Sequence, residues 1–95
     1  MTVHLIVILD STTQQRHTSL HSTLANANET VVHELVSGSF RQRPATQVAI
    51  SETYSQYLTQ PDVLFSHLQH IADNAYLTVW HDEVALPESL QYETL

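Results

Sequence analysis

Val3-His4-Leu5-Ile6-Val7-Ile8-Leu9 is an almost unbroken apolar, β-branched run. Such a run suits a central strand covered on both faces. It is far too short to span a bilayer, it contains His4, and it lacks the basic leader of a targeting segment. Asp10, Ser11 and Thr12 follow, all residue types that cap helices. From Thr13 to Ala27, the positions His17, Leu20, Leu24 and Ala27 recur at helical spacing, so a helix is expected there. Its serines and threonines weaken intrinsic propensity, which leaves packing to hold it. Asn26 and Asn28 supply a stop.

Further along, Thr30-Val31-Val32-His33-Glu34-Leu35-Val36 reads as a second strand, and Ser37-Gly38-Ser39 as a turn. The alternation of Thr46-Gln47-Val48-Ala49-Ile50-Ser51 predicts a third strand. The stretch from Glu52 to Gln60 is ambiguous, with Tyr54, Tyr57 and Leu58 available for packing. Pro61 and Asp62 open the clearest helix, whose apolar face is Leu64, Phe65, Leu68, Ile71, Ala72 and Ala75. Ala75 to Asp82 gives a fourth strand, with Leu77 and Val79 on one face and Tyr76, Thr78 and Trp80 on the other.

The element order β-α-β-β-α-β predicts an α+β fold: a ferredoxin-like sandwich, its four-stranded sheet carrying two helices on one face. The expected unit is a single domain over residues 1–85. Residues 86–95 form a tail that is a short turn, an arm onto a partner, or frayed. In that topology Val3, Leu5, Val7 and Leu9 face the helices. His4, Ile6, Ile8, Tyr76 and Trp80 share the open face and become the candidate ligand or dimer surface. His4 and His81 come close, though on opposite faces by parity, and Trp80 beside His4 is the start of a small-ligand pocket or the centre of a dimer contact.

Composition narrows the function. Ten acidic residues stand against three arginines and no lysine, a formal charge of -7 that lacks the basic footprint of nucleic-acid or anionic-membrane binders. Seven charged histidines would cancel that -7, so solubility is expected to be poor near the pI of about 5.2 and good well above it. The lack of cysteine removes disulfides, thiol nucleophiles, thiolate zinc sites and iron–sulfur clusters, and fits a cytoplasmic protein. With no lysine and one glycine, Gly38, neither Schiff-base chemistry nor a phosphate-cradling loop can be written. No metal or other cofactor is expected.

Other residues offer candidate sites. His17 with His21 and His67 with His70 have spacings that can align two imidazoles on a helix. Seven histidines give roughly one such pair by chance, and both pairs read as solvated helix residues. His81-Asp82-Glu83 reads as a strand end whose side chains alternate. Arg41 and Arg43 flank Gln42 in the loop after Gly38 and could hold a phosphate or carboxylate.

His33-Glu34-Leu35-Val36, then Val48-Ala49-Ile50-Ser51-Glu52-Thr53-Tyr54 and the helix with His67, carry a resemblance to the dimeric α/β-barrel proteins of the antibiotic-biosynthesis-monooxygenase type. The resemblance implies two four-stranded sheets packed face to face and, in some members, metal-free oxidation of aromatic substrates; it assigns no catalytic residue. The function expected from the residues is non-catalytic: a homodimeric interaction module, or one binding a small apolar ligand or a protein. A cofactor-independent monooxygenase-like enzyme is the alternative.

Overall fold

The computed structural model of the protein describes residues 1–86; of the tail expected over 86–95, residues 87–95 lie outside the described residues. The elements are β1 (Thr2–Asp10), β2 (Arg16–His21), α1 (Leu24–Val36), α2 (Pro44–Gln56), α3 (Pro61–Asn74) and β3 (Leu77–Ala85). They form an α+β fold around a three-stranded antiparallel sheet of order β2-β1-β3. This corrects the expected ferredoxin-like arrangement: among the described residues there are three strands rather than four, three helices rather than two, and the order is ββαααβ.

Three segments account for the difference. The first is Thr13 to His21, where β2 stands in place of a helix. The Asp10 side chain does cap, but it caps a turn: Oδ1 accepts from the backbone N–H groups of Thr12 at 2.8 Å and Thr13 at 3.1 Å. Those bonds hold its carboxyl below the usual carboxylate range. Asp10 N–H donates to the Gln15 carbonyl and Gln14 N–H to that of Asp10, and Gln14 takes a left-handed φ of 64° to close the hairpin. The polar, threonine- and serine-rich chain then finds its hydrogen bonds on β1, which a weak isolated helix could not match.

The second is Thr30–Val36, which is the second half of α1. Ala27, Val31 and Leu35 recur at helical spacing and are wholly buried, with Leu24 packed beside them. Thr23 begins the helix by accepting from Asn26 N–H at 3.1 Å. The helix-propensity penalty of valine is under roughly 0.7 kcal/mol per residue, whereas burying Val31 and Leu35 returns about 1.5–3 kcal/mol each. Packing therefore decides. The helix ends in a tight turn where a Cβ on Gly38 would lie 2.8 Å from the Glu34 Cα, so this position needs a glycine for close approach.

The third is Thr46–Ser51, the expected third strand, which lies in α2. Pro44 at the first helical position presets φ and loses no hydrogen bond. Of the alternating Val48 and Ile50, only Ile50 is buried, while Val48 is 56% exposed. Alternation without burial on one face is a weak strand signal. Among the described elements α2 packs against α1 and α3, and its backbone does not approach the sheet.

The expectations for α3 and β3 agree with the structure. Leu64, Phe65, Leu68 and Ala72 are buried, as are Leu77 and Val79. Gln69 ties the two elements by donating to the Val79 carbonyl at 2.8 Å. Asn28, buried in α1, donates to the Pro61 carbonyl at the start of α3. The core comprises Ile6, Ile8, Ala27, Val31, Leu35, Phe40, Ile50, Leu64, Phe65, Leu68, Ala72, Leu77 and Val79. No helix among the described residues is long and apolar enough to cross a membrane.

Candidate functional site

Register assigns every sheet residue to a face. Ile6 pairs with Ser19 and His81, and Ile8 with His17 and Val79. Ile6 and Ile8 are 0% exposed beneath the helices, so their partners share the helix face. Val7 pairs with Thr18 and Trp80, Leu5 with Leu20 and Asp82, and Leu9 with Arg16 and Thr78. These form the outer face, together with Val3 and Val84. Val3 is buried, whereas Leu20 is 42% and Trp80 48% exposed.

The residues expected to share one open face are thereby separated. Ile6 and Ile8 are core residues, and His4 also lies on the helix side. Trp80 is on the outer face, backed by Val7 rather than by His4. Tyr76 precedes β3 in the turn after α3, with 75% of its surface exposed. The outer apolar residues are the ones sequence parity had assigned to the core: Leu5, Val7 and Leu9. Because β1 is apolar on both faces, a one-residue change of register against β3 exchanges them. The clue available was β3 itself, whose Thr78-Trp80-Asp82 face is mixed while Leu77 and Val79 are purely apolar.

The helix face runs out of hydrocarbon at the end of the sheet bearing His4, and histidines take over. His4 Nδ1 lies 2.9 Å from His81 Nε2, with the rings stacked at a centroid distance of 5.1 Å. One ring donates and the other accepts. Phe65 leans on His81 at 5.3 Å between ring centroids. The expectation that His4 and His81 are near agrees with this; the expectation that they point to opposite faces does not. His21 Nε2 meets Ser19 Oγ at 2.7 Å, and His17 Nε2 is buried without a protein partner. Burial lowers the His21 pKa from 6.5, and the neighbouring His17 and His4 lower it further.

The remaining candidates do not converge. His17 and His21 lie on β2 rather than on a helix. Of the pair on α3, His67 stacks on Tyr57 at 4.4 Å, whereas His70 Nε2 lies 3.5 Å from Asn74 Nδ2. Among the described residues, no group of three or more histidine, aspartate or glutamate side chains is placed to hold a metal ion. Asp82 lies on the outer face, while His81 and Glu83 lie on the other. Arg41 and Arg43 sit in the loop between α1 and α2, as expected, at the rim of a cavity of about 650 Å3.

The outer face draws apolar residues from all three strands. Its centre is Val7 on the middle strand, with Leu5, Leu9, Leu20 and Trp80 around it. Arg16 and Asp82 stand diagonally across it, two positions to either side of Val7 in the register. No family model, curated protein or solved structure matches the chain, so its function rests on this geometry.

Proposed function

We propose that the protein is a non-catalytic self-association module that forms a two-fold dimer through the outer face of its sheet. The observation carrying this reading is that all three strands contribute apolar residues to a face on which none of the described helices packs, with Leu20 and Trp80 exposed at its sides. A second copy is the occupant that the charges favour. A two-fold axis passing over Val7 sets Arg16 of each chain against the second copy's Asp82, so the surface is complementary to itself. Strand spacing and rise give roughly 400 Å2 of face per copy. Lasting interfaces bury roughly 800 Å2 per partner, so a dimer that dissociates at micromolar concentration is expected. A chain without cysteine suits work in the reducing cytoplasm.

Sedimentation equilibrium over a broad concentration range, read together with Trp80 fluorescence, tests the proposal. The expected result is a monomer–dimer equilibrium in which Trp80 emission shifts to the red as dilution exposes the ring. A monomer at the highest concentrations used for NMR, or a dimer whose Trp80 emission ignores dilution, would overturn it.

A further inference from the structure

We infer that the 650 Å3 cavity between the α1–α2 loop and the end of α3 binds a small organic anion: a carboxylate or phosphate carried on an apolar body. The cavity falls within the range typical of small-molecule sites, roughly 300–1,000 Å3. Its lining mixes polar groups from Arg41, Arg43, Thr46 and Asn74 with apolar ones from Ile71 and Ala49, and Tyr76 borders it.

The arginines carry the argument. The chain has ten carboxylates and only three arginines, yet two of the three border this one cavity. Among the described residues no arginine, Arg16 included, is paired with a carboxylate, so both guanidinium groups at the cavity remain available to a ligand. Two unpaired guanidinium forks at one rim suit a planar or tetrahedral oxyanion, which each can grip through two N–H groups. The opening turn of α2, which has no side-chain cap, adds its dipole to the same field.

The cavity is held in shape from both sides. Gln47 donates to the Gln42 carbonyl at 2.6 Å, and Gln42 N–H donates to Leu35, fixing the loop that carries the arginines. Opposite, Tyr76 takes a left-handed φ of 63°, uncommon for an aromatic residue. Its carbonyl accepts from both Ser11 Oγ at 2.8 Å and Ser11 N–H at 3.3 Å. The backbone that carries the phenol is thereby held beside the cavity, from which the exposed ring can lie against an aromatic ligand body.

The test is a 1H–15N NMR titration of the full chain with phenyl phosphate, benzoate, inorganic phosphate and benzyl alcohol. The expected result is saturable shifts confined to residues 41–49 and 71–76, with one or both aromatic anions binding more tightly than inorganic phosphate and benzyl alcohol not binding. Stronger binding by phenyl phosphate identifies the head group as phosphate, and stronger binding by benzoate identifies it as carboxylate. The double variant R41Q/R43Q should weaken binding about tenfold or more while keeping the unperturbed spectrum elsewhere. Saturable shifts that map to other residues, equal binding of benzyl alcohol, or an unchanged affinity in a folded R41Q/R43Q variant would overturn the inference. Should that variant unfold, the shift map and the anion requirement of the unmodified chain decide. The sheet-face dimer does not enter the result, since no lining residue lies on the sheet.

Discussion

The two faces of the sheet are built from one apolar strand and have opposite fates. On the helix side, Ile6 and Ile8 join a closed core, and the face ends in a polar cluster of His4, His21 and His81. On the outer side, Val3, Leu5, Val7 and Leu9 are equally apolar but have only side chains of the flanking strands, Leu20, Trp80 and Val84, for apolar company among the described residues. Hydrophobicity alone did not sort these residues. The register against β3 did, because Leu77 and Val79 had to reach the helices. A strand that is apolar on both sides keeps a second surface for association, whereas an alternating strand would have a wet one.

The largest expected contrast comes from truncating one residue on each face. Ile8→Ala should cost about 2–5 kcal/mol of folding stability through a cavity that cannot collapse. Leu5→Ala should cost no more than about 1 kcal/mol in the monomer. Urea denaturation at a concentration below the dimer range measures both, and equal losses would mean that the faces are assigned wrongly. Next in size, Trp80→Ala should weaken self-association by about 2 kcal/mol or more, as loss of a central aromatic does in other interfaces. Sedimentation checks this, and an unchanged association constant removes Trp80 from the contact.

A smaller effect tests the diagonal charges. Arg16→Asp alone should weaken the dimer several-fold, by about 1 kcal/mol, and adding Asp82→Arg should restore it. If the double variant is no better than the single, the two-fold does not pass over Val7. Smallest is a pH effect on the histidine side. With its folded pKa below 6.5, His21 is protonated first in the unfolded chain. Stability from this source is full above pH 6.5 and is lost as pH falls toward the folded pKa. Urea midpoints measured across that window should fall with pH, and His21→Gln should flatten part of the slope.

The sequence was legible where local signals and packing agreed. Pro61, Asp62 and the spacing of Leu64, Phe65, Leu68 and Ala72 all point to α3, and Leu77 with Val79 gives β3 its inner face. The α1–α2 loop was likewise visible as the place where two arginines gather. Elsewhere local signals conflicted with the structure. Leu20, Leu24 and Ala27 have helical spacing, yet Leu20 belongs to a strand and the others to α1. The valines of Thr30–Val36 favour a strand by composition, while their burial favours a helix. The candidate surface was misplaced for a related reason: Ile6 and Leu5 are interchangeable by composition, and only the pairing partner separates them.

The bonds from Ser11 to the Tyr76 carbonyl join turns that lie 65 residues apart in the chain. On one side of that link is a two-stranded hairpin, which in isolation is marginally stable in water. On the other is the strand that completes it. As a ribosome extends the chain, residues 2–21 therefore wait as an unfinished ribbon while three helices are made. The sheet closes only when residues 77–85 have emerged to pair with β1. A chain cut short before β3 keeps the β1–β2 hairpin on which α1 packs but leaves α3 without the strand it lies against.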